Sequence, residues 1–330
     1  MGEAESTGHK SRTAVVLNGD SGTLRDGDAQ AMADRIKGIL QESGHEVVQY
    51  LVSGAEIADT LKQARDTCDR VFAGGGDGTI SSAASIFVGG DTPLAILPLG
   101  TMNLFARALA IPLTLDEAVR ALATGQERLI DVGDVNGEIF VHHVTLGLHP
   151  LMIFNRERQQ YASRLGKKWG SLKVWWKLVR RAPRMRLRIA VDGEQFFTRS
   201  ASVIVANNEF VERVGGVPHS ETPDRGRLAL YVANTRDWTE LLAMSAEAGL
   251  GKWASNSKLD FHEGQTIIIA GERPRMPVSV DGELLSLTMP IEARICPQAL
   301  KVIVPVPGTE PELPPAVKGQ RSDNGRAEGT

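Results

Sequence analysis

Gly74-Gly75-Gly76-Asp77-Gly78-Thr79 is a run whose residue types could hold a phosphate. It follows an apolar stretch, Val71-Phe72-Ala73, and precedes a helix-like one from Ile80 to Phe87. Glycines let the backbone turn tightly and bring its N–H groups close to a bulky anion. A helix that starts just after such a turn adds unpaired N–H groups and the positive end of its dipole. Asp77 is out of place beside phosphates, because a carboxylate repels them unless a cation such as Mg²⁺ lies between. The layout suggests a nucleotide-phosphate site with a metal-binding or general-base carboxylate. The plainer alternative is a Gly-rich turn with Asp77 as a helix cap. Two more loops share the pattern. Ala95-Ile96-Leu97 runs into Pro98-Leu99-Gly100-Thr101-Met102-Asn103, and Thr13 to Leu17 runs into Asn18-Gly19-Asp20-Ser21-Gly22. In open α/β sheets ligands bind outside the carboxyl ends of the strands, so loops at successive strand ends can face one cleft.

These loops need elements to position them. Residues 12 to 130 alternate strand-like and helix-like runs. The strands are expected over Thr13–Leu17, Glu46–Leu51, Arg70–Ala73 and Leu94–Leu97, and the helices over Ala29–Ser43, Ala55–Thr67, Ile80–Val88 and Leu115–Thr124. That alternation predicts a doubly wound parallel α/β domain. From Ile130 the texture changes. Asn136-Gly137, Asp192-Gly193 and Asp281-Gly282 each sit between strand-like runs, the signal of a β-hairpin. A largely antiparallel β domain is therefore expected over 131–306. From Pro307 to Thr330 there are almost no apolar residues, and a disordered tail is expected.

Composition narrows the class. The chain has 330 residues, 42% hydrophobic and 23% charged, enough for a large core in two domains. A net charge of −3 gives no global pull toward nucleic acid. Two cysteines, Cys68 and Cys296, make no disulfide framework and suit a reducing compartment. No apolar run reaches the length of a membrane-spanning helix, and the polar stretch Met1–Ser11 has no signal-peptide core. Met1-Gly2-x-x-x-Ser6 matches only a loose myristoylation pattern. A cytoplasmic protein is expected. His142, His143 and His149 lack metal-ligand spacing and read as structural.

Three motifs together, Asn18-Gly19-x-Ser21-Gly22, Gly75-Gly76-Asp77-Gly78-Thr79 and Pro98-x-Gly100-Thr101-x-Asn103, resemble the diacylglycerol-kinase catalytic-domain family. That family includes bacterial lipid kinases and relatives acting on sphingosine and ceramide. The resemblance spans roughly residues 12 to 306. It implies a β-sandwich-like second domain that handles the lipid, an active site in the cleft between domains, and transfer of a phosphoryl group from ATP with Mg²⁺ to a lipid hydroxyl. Diacylglycerol is the default acceptor; a sphingoid base or ceramide is the alternative. The resemblance implies that Gly75, Gly76, Gly78 and Thr79 cradle phosphate, with Asn18, Ser21, Thr101 and Asn103 contributing from the neighbouring loops. Ser53 stands where the family has a Thr that contacts nucleotide. Asp77 would hold Mg²⁺ or orient the acceptor hydroxyl, and Glu283 of Asp281-Gly282-Glu283 is similar to the family's general base. A lipid hydroxyl is a poor nucleophile, and a carboxylate within hydrogen-bond reach could take its proton. Asp192-Gly193-Glu194 has the same three letters, so the tripeptide alone decides nothing.

Some positions depart from the family. Ile80-Ser81-Ser82 replaces the usual Ile-Asn-Glu, and Leu104 replaces a frequent Asp or Asn. Asp224-Arg225-Gly226 stands where many bacterial members have Asp-Asp-Gly and a structural Mg²⁺; Arg225 has no acceptor atom and cannot be a ligand. Other classes fit less well. NAD kinases share the Gly-Gly-Asp-Gly-Thr loop but lack Pro-x-Gly-Thr-x-Asn. A dinucleotide-binding oxidoreductase would want Gly-x-Gly-x-x-Gly after the first strand, and a Walker-type enzyme Gly-x4-Gly-Lys-Ser/Thr; neither is present. A nucleotide-binding relative without catalysis is the remaining alternative.

One segment concerns membranes. From Arg164 to Arg188 there are ten basic residues, no acidic one, and three tryptophans, Trp169, Trp175 and Trp176. A helix is expected as far as Arg181, with Pro183 ending it. Basic residues beside Trp suit the interface of an anionic bilayer, so peripheral contact with the inner membrane face is expected there. The alternative is a helix that packs its tryptophans onto the β domain. The oligomeric state is not legible.

Overall fold

The computed structural model describes residues 12–25, 27–147, 184–210, 224–235, 239–240 and 258–306. The segment 164–183, His149 and the tail 307–330 lie outside them, and so do the expectations attached to those residues.

Four strands open the fold: β1 (Arg12–Asn18), β2 (Glu46–Val52), β3 (Arg70–Gly75) and β4 (Leu94–Pro98). They pair in parallel in the order β2-β1-β3-β4. Their near-continuous apolar sequences mark strands covered on both faces. The helices between and after them are α1 (Gly22–Arg25), α2 (Ala29–Glu42), α3 (Ile57–Thr67), α4 (Asp77–Phe87), α5 (Leu104–Ala108) and α6 (Leu115–Ala123). Helix α2 packs with α6 and α3 with α4, the pairs that right-handed crossovers would place on opposite faces. Leu17, Phe72, Ile96 and Leu97 are fully buried between the layers. Each such side chain contributes about 1.5–3 kcal/mol by leaving water.

The second half is β-rich: β5 (Gln126–Val135), β6 (Glu138–Phe140), β7 (His143–Gly147), β8 (Met185–Val191), β9 (Glu194–Ser200), β10 (Ser202–Asn207), β11 (Leu228–Ala233), β12 (Leu259–Gly264), β13 (Thr266–Gly271), β14 (Arg275–Val280), β15 (Glu283–Thr288) and β16 (Ile291–Val304). Six of these form an antiparallel sheet in the order β12-β11-β10-β7-β14-β15. The others extend the first sheet through β16, β13, β8 and β9 into ten strands. The two sheets face each other across a second core that includes Val144, Leu146, Ile189, Ile267 and Ile269. The architecture is α/β plus an antiparallel β-sandwich.

The three X-Gly hairpins form as expected. Asn136/Gly137, Asp192/Gly193 and Asp281/Gly282 have φ of 52°/91°, 49°/92° and 47°/95°, the two positive values that a type I′ turn demands. Two helix starts differ from expectation. Helix α3 begins at Ile57 rather than Ala55, and α4 begins at Asp77 rather than Ile80. Gly76 is the N-cap of α4, and its carbonyl accepts the first helical bond from the Ile80 amide at 3.1 Å. Asp77, Gly78 and Thr79 are thus a helical first turn, where a carboxylate is favoured by the dipole.

Candidate active site

The parallel order β2-β1-β3-β4 makes the chain reverse its direction of travel between β1 and β3. At such a switch point the loops leave the strand ends in opposite directions and a crevice opens between them. Asn18 closes β1 there. Its Nδ2 donates to Thr79 Oγ1 at 2.9 Å, and its Oδ1 accepts from the Asp20 amide at 3.0 Å. Asp20 Oδ2 in turn accepts from the Gly54 amide at 2.7 Å, which ties in the loop after β2. Asp77 Oδ1 accepts from the Leu104 amide at 3.0 Å, and Asn103 Oδ1 from the Gly100 amide at 2.8 Å. Asn103 sits in the left-handed region, φ 50°, to make that reach. Four loops therefore share one hydrogen-bonded floor.

The glycines of this floor have separate reasons. A Cβ on Gly74 would stand 2.6 Å from Leu17 Cδ2, and one on Gly75 would stand 2.6 Å from Thr79 Cβ. A Cβ on Gly100 would lie 3.2 Å from Asp77 Oδ2. These three permit close packing. Gly76 differs, because a Cβ there would meet nothing within 4 Å and its φ of −75° suits any residue. Folding does not ask for glycine at 76. The bare backbone leaves room at the helix N-terminus for an occupant.

The second domain reaches this floor through the β14–β15 hairpin. Glu283 is exposed, and its Oε1 lies 3.0 Å from where a Cβ on Gly78 would be. It has no hydrogen-bond partner among the described residues. A carboxylate at this place gains from the positive end of α4. Asp281 has the opposite character. Its carboxylate accepts from the amides of Val141 at 2.8 Å, His142 at 3.0 Å and His143 at 2.9 Å, and from Ser81 Oγ at 2.9 Å. Burial pushes its carboxyl up, against the pull of those four donors. Ser81 and Asp281 clamp α4 to the hairpin and so fix Glu283 over Gly78. Neither residue was singled out for this role from sequence. The signal was available in Ser81, a hydroxyl one turn after the glycine loop.

The other expected residues fall into place unevenly. Ser21 is 8% exposed, and its Oγ has no hydrogen-bond partner among the described residues. Thr101 is exposed in the loop after β4. Ser53 lies beyond β2 with its backbone and hydroxyl both donating to Glu56 Oε2, the hydroxyl at 2.7 Å. Those two donations pull the Glu56 carboxyl down. Asp192-Gly193-Glu194 forms an anchored hairpin elsewhere, with Asp192 Oδ1 accepting from the Gln265 and Thr266 amides. His142 and His143 stack edge to face, centroids 4.6 Å apart, and pack against Phe210.

Asp224 and Arg225 do not suit a structural metal. Asp224 is ion-paired with Arg128, and Arg225 with Glu209 at 3.2 Å. The nearby buried carboxylate, Asp131, accepts from the amides of Gly226 at 2.6 Å and Gln298 at 2.9 Å. Arginines and backbone amides occupy the acids that a cation would need. For nucleotide-bound Mg²⁺ the fit is better. Asp77 Oδ2 is not engaged by the Leu104 amide, and Mg²⁺ commonly takes one or two protein carboxylates with phosphates and water completing its shell.

Residues 12–135 match the family model described as the diacylglycerol kinase catalytic domain, and residues 171–304 that of the YegS C-terminal NAD kinase β-sandwich-like domain. A diacylglycerol-kinase catalytic domain therefore occupies residues 12–135. Among curated relatives, an uncharacterized Synechocystis protein is 26% identical over 76% of this chain, which spans 59% of that protein's length. A Staphylococcus aureus protein, named provisionally as a lipid kinase, is 24% identical over 80% of this chain and 85% of its own. A solved diacylglycerol kinase from Bacillus anthracis superposes with a TM-score of 0.67 at 18% identity, over 91% of this chain and 98% of that one. A second structure from the same organism, provisionally titled a diacylglycerol kinase, superposes at 0.70 with 20% identity over 89% and 97%. The chain has the fold of those structures. No helix among its described residues is long and apolar enough to cross a membrane.

Proposed function

We propose that the protein transfers the γ-phosphoryl group of ATP to the hydroxyl of a lipid, diacylglycerol by default, giving phosphatidic acid. The observation that carries this reading is Glu283, an exposed carboxylate unengaged among the described residues, held against the N-terminus of α4. When bound, the nucleotide with its magnesium ion supplies the phosphoryl group and neutralises its charge. The chain's own residues do the rest. The amides of the first turn of α4 and the bare backbone of Gly76 receive phosphate oxygens. Asn18 holds Thr79 in the rotamer that keeps its side chain over Gly75. Asp77 holds the metal through Oδ2 or orients the acceptor hydroxyl, while its Oδ1 stays on Leu104. Glu283 takes the proton from the acceptor oxygen as that oxygen forms its new bond. A lipid acceptor implies peripheral association with the inner face of the cytoplasmic membrane.

Transfer from γ-labelled ATP to diacylglycerol, sphingosine, ceramide and NAD, in detergent micelles where needed, tests the reading. Label is expected in one lipid. Glu283→Gln is expected to lower kcat by about 100- to 10,000-fold with ATP affinity nearly unchanged. Label in NADP alone would move the protein to the soluble-substrate kinases whose β-sandwich it shares. ATP binding with no transfer to any acceptor would sink the catalytic reading.

A further inference from the structure

The second domain carries a basic groove apart from the loops just described. Two adjoining hollows, of about 730 and 170 Å³, share Arg186, Leu187, Gly271 and Glu272 in their walls. Five arginines line them, Arg184, Arg186, Arg188, Arg199 and Arg273, against one acid, Glu272. That is an excess of four positive charges on a chain whose net charge is −3. Glu272 pairs with Arg186 at 3.5 Å. The other four arginines have no acidic partner among the described residues.

Folding does not explain this arrangement. In the β8–β9 ladder Arg186 stands directly opposite Arg199, and Arg188 opposite Phe197. Like charges directly across a sheet destabilise it. Phe197 is 81% exposed, on the outermost strand of the ten-stranded sheet. Charge on an edge strand deters pairing with other chains. A bare phenylalanine among those charges works the other way, so edge protection does not account for the pair. Leu187, Ile189 and Val191 of β8 point the opposite way into the core, which leaves the arginine face without a packing role among the described residues.

We propose that this groove docks the protein on an anionic lipid bilayer. Acidic headgroups neutralise the facing arginines, and Phe197 enters the boundary between headgroups and acyl chains. Charge and exposure support this docking independently of the phosphoryl-transfer reading. The groove is separate from the candidate active site. Its wall residue Pro277 is three residues from Val280, the partner of Glu283, or roughly 10 Å along β14.

Co-sedimentation of the full chain with phosphatidylcholine vesicles, with and without about one-third phosphatidylserine, tests this at roughly 0.1 M salt. The protein is expected to pellet only with phosphatidylserine and to be released as salt rises. Each arginine near an anionic surface contributes roughly fivefold, so Arg188→Ala with Arg199→Ala is expected to weaken binding about 25-fold. Phe197→Ser is expected to weaken it several-fold. Both variants alter exposed residues and are expected to melt no lower than the wild type and to keep its activity in neutral detergent micelles. Pelleting indifferent to phosphatidylserine would overturn the proposal. So would binding unchanged in both variants, which would assign docking to the Arg164–Arg181 segment instead. No transfer in micelles by the unaltered protein would count against the kinase reading alone and leave the docking result standing.

Discussion

At Gly75 an added Cβ would stand 2.6 Å from the Cβ of Thr79, whereas at Gly76 it would meet nothing within 4 Å. Two adjacent glycines in one motif therefore answer to different demands, and substitution separates them. Gly75→Ala forces Thr79 off its seat and breaks its bond with Asn18. It is expected to cost about 1–3 kcal/mol of stability by overpacking, read from chemical denaturation. Gly76→Ala is expected to fold with near-wild-type stability and to bind ATP at least tenfold more weakly, because the new methyl group occupies the space left for phosphate. Equal ATP affinity in Gly76→Ala, by calorimetry, would remove the argument for an occupant there. The motif was legible as a strand-to-helix turn, because an apolar run precedes it and a helix-like one follows. What each glycine does was not legible, since the clashing atoms belong to Leu17, Leu99 and Asp77, whose proximity only the fold creates.

At the scale of elements, the three type I′ hairpins use one device. The first turn residue takes positive φ and turns its side chain onto backbone amides: Asn136 onto Glu292, Asp192 onto Gln265 and Thr266, Asp281 onto residues 141–143. X-Gly between strand-like runs made the hairpins readable from sequence. It did not reveal that the Asp of Asp281-Gly282-Glu283 is an anchor and that only the Glu faces the cleft. That division depends on which strand lies beside each turn. The anchoring carboxylate has a consequence for pH. Burial raises its pKa above that of the unfolded chain, so the native state holds the proton more tightly. Its contribution is then fully present below the ordinary carboxylate range, near pH 4, and is lost as pH rises through the elevated value. Asp281→Asn abolishes this titration. Its NH₂ would also face N–H donors, which costs about 1–3 kcal/mol. Urea denaturation between pH 4 and neutrality is expected to show a less stable variant with a shallower pH slope; an unchanged slope would mean Asp281 does not titrate in that range. Ser81→Ala is expected to leave the hairpin intact and lower kcat more than ATP affinity, because it loosens Glu283 relative to α4.

For the whole molecule, the last strand matters most. The alternating first half and hairpin-rich second half predict two sheets, yet β16 belongs to both cores. Ile291, Ala293 and Ile295 lie in the sandwich, while Leu300, Val302 and Ile303 pack in the first domain, where Val302 pairs in parallel with Leu94 of β4. No local pattern announces this, since a strand that changes partners reads like any other. Between the two stretches the register with β5 shifts, and Gln298 takes φ 52°. The Gln298 amide donates to Asp131, which also accepts from Gly226. One buried carboxylate therefore holds the crossing strand and the turn at Asp224-Arg225-Gly226. At this turn Arg128 engages Asp224 and Arg225 engages Glu209. Such half-exposed ion pairs contribute at most about 1 kcal/mol each, so the anchor is Asp131 rather than the charges around it. Chelation of divalent ions is accordingly expected to leave the melting temperature of the nucleotide-free protein unchanged. Asp131→Ala leaves two backbone amides unpaired in the interior, about 2–5 kcal/mol, and is expected to lower that temperature by roughly 3–8 °C. Because β16 is shared, the fall should appear as one shifted transition rather than as early loss of one domain. Separate transitions in this variant would mean that the two cores unfold independently. A chelator-dependent melting temperature would mean that a cation binds at Asp224 after all.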